Sequence, residues 1–404
     1  MKFTKHIKGK FSVHMILVIV IVIIVSTICV RLHTGKIEKN EGRTSSFVPS
    51  PEVYNQSFFD FYCFEDLGQT ISGIESKDFN NDKKMDFAAS YSSSPFNHSY
   101  ISIFYNIGNL EFVRTDIFSF EKHINDINAG DYDNDGDIDF LFTYSESVNI
   151  TINNTIFSVR TNGTIIFLEN IGNNIFIQSR VVAKHYSKIL DHYGRQNPRL
   201  ASADLDNDGD LDFLVGDNSG MVEFYKNTGD GTFFSAGIIH DFGCLSWGIT
   251  SSDYDNDGDI DVVVSAEVEQ KSSVLIGRLY LIKNPGSFDY VNSSGIKVIE
   301  NISKYSGVAS IVIFDYDKDE QLELFVGIRD KIYLIKIVNN SYEKVSICTL
   351  NKSSEGYIDD LKNAGISVAD FNNDGYMDVV IGGLQGKIRI LLNAYNRVQN
   401  NYIG

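Results

Sequence analysis

A β-propeller of six four-stranded blades, an all-β fold, is predicted by three features of this 404-residue chain. A nine-residue acidic loop recurs six times, 49 to 73 residues apart, which leaves room for four short strands in each unit. Short runs of β-branched and aromatic residues bounded by Gly, Asn, Asp and Ser fill the intervals, without a convincing helical pattern. The segment from Phe58 to Asp78 has the same length as Phe233 to Asp253, which carries the fourth strand of one unit into the first of the next. Residues 58–66 are therefore expected to supply the strand missing from the last unit, closing the ring and hiding two sheet edges. Seven blades is the alternative count, although the 73-residue spacing has too little extra chain for a hidden blade.

Taken in order, residues 1–14 carry Lys2, Lys5, Lys8 and Lys10 and read as a cytoplasmic tail. Met15 to Val30 then runs without a charge, so residues 15–32 are expected to form one transmembrane helix preceding the propeller. No small-residue cleavage site follows the apolar run, which favours an uncleaved signal anchor; secretion after signal cleavage is the alternative. Four lysines before the segment outweigh Arg31 and Lys36 after it, placing the N-terminus in the cytoplasm and the rest outside the cell membrane. Residues 33–57 are polar, with Gly35, Gly42, Pro49 and Pro51, and read as a stalk. The propeller is assigned to residues 58–393 and a C-terminal tail to 394–404.

Each unit repeats one order of parts. A strand of small residues (GITSS before Asp253, ISVA before Asp370) precedes the loop, and an apolar strand (FLVG, VVVSA, LFVGI) follows it. A third strand ends on an asparagine turn, as in FYNIGN, FLENIGN and FYKNTGD. The loop itself, best seen in DYDNDGDID, sets Asp131, Asp133, Asp135 and Asp139 at positions 1, 3, 5 and 9, with Gly136 at the sharp turn. Alternate carboxylates with a backbone carbonyl can wrap a hard cation such as Ca²⁺, which takes six to eight oxygens. Without a cation the carboxylates repel one another.

The formal charge of −18 has the same origin, since 26 of the 53 acidic residues lie inside the six loops. That balance, with no clustered basic surface, argues against nucleic-acid binding. Cys29 falls in the apolar N-terminal run, while Cys63, Cys244 and Cys348 occupy no equivalent places in the repeat and read as small buried hydrophobes, so the four give no disulfide framework.

The loops and their framing strands resemble the FG-GAP or VCBS repeats of the integrin α-subunit head and of many microbial surface proteins, over residues 58–393. The resemblance implies a propeller that binds Ca²⁺ in loops on one face and engages partners on the other. Carried over by position, the full matches are Asp131, Asp133, Asp135 and Asp139; Asp204, Asp206, Asp208 and Asp212; and Asp253, Asp255, Asp257 and Asp261. The sixth loop offers Asp370, Asn372, Asp374 and Asp378, and the first Asp78, Asn80, Asp82 and Asp86, with Lys83 in place of glycine. The fifth departs furthest: Asp315, Asp317 and Asp319 are followed by Glu320 in the glycine position and by Glu323 at the close. Up to six calcium ions are implied.

For function the sequence supports a membrane-anchored adhesion or ligand-binding module in which calcium is structural and an unidentified protein or glycan binds opposite the loops. Nine N-x-S/T sequons, among them Asn149, Asn153 and Asn162, fit a glycoprotein exposed outside the cell. The long connection 145–164 is expected as a glycan-bearing flap, and the stretch 191–199 mixes charge, ring and amide groups as a recognition loop would. Trp247 is expected at a blade connection or the start of an inner strand. The alternative is an extracellular carbohydrate-active enzyme, a lyase or hydrolase, drawing on His185, His192, Tyr193, Arg195 or Asp191; these form no catalytic spacing motif, so no catalytic residue is assigned.

Overall fold

The computed structural model describes residues 45–47, 50–52, 59–67, 70–92, 98–152, 155–186, 197–243, 246–270, 274–284, 286, 296–304, 310–328, 331–338, 341–349, 365–383 and 386–395. The expected cytoplasmic tail, the membrane segment and residues 33–44 lie outside these, as do residues 396–404. Among the described residues no helix is long and apolar enough to cross a membrane.

Three strands come first: β1 (Ser45–Phe47), β2 (Ser50–Glu52) and β3 (Phe59–Asp66). Blade 1 is β4 (Thr70–Lys77), β5 (Asp86–Ser92), β6 (Ser99–Gly108) and β7 (Glu111–Phe120). Blade 2 is β8 (Ile124–Gly130), β9 (Asp139–Ile152), β10 (Thr155–Asn170) and β11 (Phe176–Tyr186). Blade 3 follows with β12 (Arg199–Ala203), β13 (Asp212–Gly216), β14 (Met221–Asn227) and β15 (Phe233–Asp241). Blade 4 holds β16 (Ser246–Ser252), β17 (Asp261–Gln270), β18 (Val274–Ile282) and β19 (Ile296–Lys304). Blade 5 holds β20 (Ser310–Phe314), β21 (Glu323–Ile328), β22 (Lys331–Val338) and β23 (Ser341–Thr349). The last has β24 (Ile366–Ala369), β25 (Asp378–Gly382) and β26 (Lys387–Asn393), and takes β3 as its fourth strand.

Six antiparallel sheets result, and the inner strands β4, β8, β12, β16, β20 and β24 pack in succession, with β24 returning against β4. The ring therefore has six blades. Its closure is the predicted one: β3 pairs with β26 from Asn393↔Phe59 to Lys387↔Asp66. Phe59 is fully buried there and packs on Tyr316 and Phe325 of blade 5, at ring-centroid distances of 5.3 and 5.6 Å.

The second strand of each blade is sandwiched between neighbouring blades, which is why it reads as a continuous apolar run. β5, β13, β21 and β25 are buried at every residue. The outermost β15, by contrast, is exposed along most of its length. The buried side chains gather into six clusters, one at each blade interface, including Phe79, Ala88 and Phe140 between blades 1 and 2 and Tyr132, Leu141 and Phe213 between blades 2 and 3. Small residues on the inner strands reflect crowding at the axis. A Cβ on Gly73 would sit 2.6 Å from the backbone nitrogen of Ile127 in the next blade.

Two differences from the sequence reading concern connections. Within the stretch read as a stalk, β1 pairs with β7 on the outer edge of blade 1 and β2 pairs with β3 on the outer edge of blade 6. These two short strands cover neighbouring exposed edges, and three-residue strands carry too little pattern to be seen in a sequence. The expected flap at 145–164 is an extension of regular structure: β9 and β10 remain paired from Phe140↔Leu168 out to Ile152↔Thr155. The β-branched alternation of this segment, interrupted by Asn153-Asn154, suits a hairpin ribbon better than an irregular loop. Because β9 starts at the acidic loop, the ribbon projects from the opposite face.

Candidate metal-binding loops

All six loops link strands 1 and 2 of their blades and share one hydrogen-bonded frame. The position-1 aspartate accepts from the backbone N–H groups of positions 5 and 6. Examples are Asp135 N to Asp131 at 3.1 Å and Gly136 N to Asp131 at 3.1 Å, Asp208 N and Gly209 N to Asp204, and Asp374 N and Gly375 N to Asp370. Lys83 and Glu320 adopt the glycine conformation, with φ of 68° and 69°, and their N–H groups make the same bond to Asp78 and Asp315. The two departures from the motif are thus accommodated at the cost of a left-handed backbone.

Position 4 was not singled out from the sequence, yet it also requires a positive φ: Asn81, Asn134, Asn207, Asn256, Lys318 and Asn373 lie between 52° and 61°. Asparagine tolerates that conformation, which was the available signal. Its side chain also joins neighbouring loops. Asn134 donates to Asp210 at 2.8 Å, Asn207 to Asp259 at 3.2 Å, and Asn256 to the Glu320 carbonyl at 2.9 Å.

The closing carboxylates Asp86, Asp139, Asp212, Asp261, Glu323 and Asp378 are buried. Each accepts from a backbone N–H, as Asp212 does from Leu205 at 3.1 Å and from Asn227 at 2.8 Å. Burial pushes Asp86, Asp139, Asp212, Glu323 and Asp378 up to about 7 and Asp261 to about 6, against the pull of those N–H bonds; loop carboxylates reinforce the rise. A cation in the loop would oppose this shift.

Four groups among the described residues bring ligand oxygens within 4.8 Å of one another: Asp131, Asp133 and Asp139; Asp204, Asp206 and Asp212; Asp253, Asp255 and Asp257; and Asp315, Asp317 and Glu323. Two oxygens on opposite sides of a cation bound at about 2.4 Å lie about 4.8 Å apart, so these cages fit a hard ion. A second observation points the same way. Asp133 Oδ1, Asp206 Oδ1, Asp317 Oδ1 and Asp261 Oδ2 are buried with no hydrogen-bond partner, a costly arrangement that a metal would relieve. The first and sixth loops keep the frame, with Asn80 Oδ1 and Asn372 Oδ1 accepting from Asp82 N and Asp374 N.

The asparagine that ends strand 3 does more than turn the chain. Asn227 lies fully buried, and its Nδ2 donates to the Leu211 carbonyl of its own loop and to the Tyr132 carbonyl of the preceding loop, at 3.0 and 2.7 Å. Asn106 likewise reaches Phe371, and Asn393 reaches Tyr316. Those recipients are position-2 residues, and all six of that position, Phe79, Tyr132, Leu205, Tyr254, Tyr316 and Phe371, are buried in the interface with the following blade.

At the axis, inner-strand residues line a partly open cavity of about 200 Å³. Asn128 donates to Glu75 at 3.0 Å and accepts from Tyr132 Oη at 2.8 Å. Arg199, read from sequence as the end of a recognition loop, turns inward and donates to the Ser72 and Asn125 carbonyls at 2.8 and 2.7 Å. It fastens three blades together beside Asp126. Trp247 lies in β16, at the start of an inner strand as expected; 187–196, which include most of the suspected recognition loop, are outside the described residues.

Six blades in one ring, each with an acidic loop between its first two strands, define a repeat propeller with candidate cation sites on one face. The FG-GAP-like repeat family model matches residues 78–142, 204–264 and 253–326, and the chain is an FG-GAP repeat β-propeller protein. No curated protein matches it. Among solved structures, one described as the basis of recognition of non-reducing terminal N-acetylglucosamine by an Agrocybe aegerita lectin is similar at 16% identity and a TM-score of 0.43, over 77% of this chain and 74% of that one.

Proposed function

We propose that this protein is a membrane-anchored, extracytoplasmic adhesion or ligand-binding module whose propeller is ordered by calcium in its six loops. The observation that carries the calcium reading is the set of oxygen-only cages holding buried, unpartnered carboxylate oxygens. Asp131, Asp133 and Asp139, with their counterparts in the other blades, would hold the ion, which would supply charge neutralisation and fix the loop. A site filled at ten times its dissociation constant stabilises a fold by roughly 1.4 kcal/mol, so several sites together rival the net stability of a domain.

The ligand, a protein or glycan, is assigned to the face opposite the loops, where the β9–β10 ribbon projects with sequons at Asn149 and Asn162. The lysine-flanked apolar segment at 15–32 is the basis for the membrane anchor. Calcium titration of the purified chain with parallel thermal melts tests the central claim. EDTA should lower the melting temperature and Ca²⁺ restore it; melting that stays unchanged after metal removal is demonstrated refutes the structural role. Binding to intact cells or glycan surfaces, lost when the ribbon is deleted but calcium binding is retained, tests the ligand face.

A further inference from the structure

The six loops are alike, but the strand beside them is not. Phe213 pairs with Tyr225, Val262 with Ile282, and Leu324 with Ile335, so the next residue of strand 3 in blades 3, 4 and 5 lies alongside the closing carboxylate. In all three it is a lysine. Lys226 Nζ binds Asp206 and lies 2.9 Å from Asp208; Lys283 Nζ binds Asp255 and lies 3.0 Å from Asp257; Lys336 Nζ lies 2.6 Å from Asp317. These carboxylates occupy positions 3 and 5 of the loops, the ones a cation would draw together. In blades 1, 2 and 6 the same register position holds Tyr105, Glu169 and Leu392. Glu169 is an electrostatic neighbour of Asp133, so blade 2 has an additional negative charge where blades 3 to 5 have a positive one.

We propose that Lys226, Lys283 and Lys336 are built-in counter-cations that hold loops 3, 4 and 5 folded without metal and must be displaced when calcium enters, grading the six sites by affinity with loop 2 the tightest. The proposal rests on the calcium reading above. An ammonium neutralises two carboxylates but supplies no link to the remaining oxygens: Asp206 Oδ1, on a side chain only 8% exposed, and Asp261 Oδ2, on a residue 1% exposed, stay unpartnered with the lysines in place. The lysine thus stands in for part of the cation's charge while leaving the cage short of its ligand. Calcium gains those oxygens but loses affinity to a positive charge that must swing into water. Half of the ring is thereby protected against metal loss, while loop 2, with Asp131, Asp133, Asp135, Asp139 and Glu169, depends on it most.

The test is calorimetric titration of the full chain in detergent with CaCl₂, alongside thermal melts with and without EDTA. Lys226→Met and Lys283→Met, which keep the stem and remove the charge, should each raise the affinity of one site about tenfold or more and lower the melting temperature of the metal-free protein. Leu392→Lys, which installs the charge beside loop 6, should weaken one site by a similar factor, and Glu169→Gln should weaken the tightest. The Leu392 variant keeps the proposal falsifiable if a methionine variant misfolds. Calcium binding by the wild type with site affinities unmoved by Leu392→Lys and by a folded methionine variant overturns this proposal and leaves the calcium reading standing. Absence of calcium binding in the wild type and every variant overturns both; binding only after lysine removal supports the counter-cation role.

Discussion

Replacing Asn227 by alanine tests the link between loops and blades most directly. The side chain is fully buried and makes three hydrogen bonds: it donates to the Tyr132 carbonyl at 2.7 Å and the Leu211 carbonyl at 3.0 Å, and accepts from Gly229 N–H at 3.2 Å. A net hydrogen bond contributes about 1 kcal/mol, and a buried partner left unsatisfied costs about 1–3 kcal/mol. Gly229 sits near the rim, where water can replace the lost acceptor, so the two carbonyls dominate and the expected loss is about 3 kcal/mol. Urea unfolding at saturating calcium measures it, with the m-value checked for constancy. Because Tyr132 belongs to loop 2 and Asn227 to blade 3, calcium affinity should fall in both loops. A loss below about 1 kcal/mol, or an effect confined to loop 3, would refute the bridging role.

Three further outcomes follow from the same geometry. Glu75 is enclosed by the ring and faces the axial cavity; burial pushes its carboxyl from 4.5 up to about 8, so the folded state retains a proton that the unfolded state releases. Its contribution to stability is complete below pH 4.5 and is lost as pH rises through 8, at most about 1.4 kcal/mol per pH unit; Glu75→Gln should flatten urea-derived stability between pH 5 and 8, and an unaltered slope would contradict the assignment. Gly73→Ala drives a Cβ to 2.6 Å from the Ile127 backbone nitrogen and should cost about 1–3 kcal/mol of overpacking, measured by urea unfolding; a change within about 0.5 kcal/mol would show that the inner strands can separate. Phe59→Ala removes the buried ring at the closure and should cost about 3–5 kcal/mol by the same assay, whereas a loss near that of a surface substitution would mean that β3 does not latch the ring.

The repeat, the blade count and the closing strand were legible because each is periodic or local. The loop shows itself within nine residues, and the missing fourth strand at the C-terminus pointed to residues 58–66. The asparagine turns were visible as turns, but their second role was not, because Asn227 meets Tyr132 across 95 positions and Asn106 meets Phe371 across 265. No local pattern encodes such a pairing; it appears only when the ring brings one blade's turn under the preceding blade's loop. Arg199 failed in the opposite direction. Its polar neighbours in sequence suggested a surface loop, while the topology turned the side chain into the axis, where it found two backbone carbonyls. The lysines beside loops 3, 4 and 5 required the strand register as well as the sequence.

Loop and core are consequently one mechanical unit. The position-1 carboxylate gathers the N–H groups of the turn, the position-9 carboxylate anchors the position-2 N–H, and the position-2 side chain enters the next interface. In blade 2 this runs from Asp131 and Asp139 through Tyr132 to Phe213 and Asn227 of blade 3. A cation drawing Asp131, Asp133 and Asp139 together would therefore tighten the interface with the following blade as well as its own turn. Blade 5 departs furthest from the series in sequence. Its register places Ile337 at the position that Asn106, Asn227 and Asn393 occupy in blades 1, 3 and 6, and Glu320 occupies the glycine position with a positive φ. The interface between blades 4 and 5 packs Tyr254, Val263, Ile311 and Leu324. Because Lys283 and Lys336 hold loops 4 and 5 without metal, opening of the ring under metal depletion should begin at the interface between blades 2 and 3, as amide exchange in β9 and β13 ahead of β20 and β21, and the reverse order would refute this.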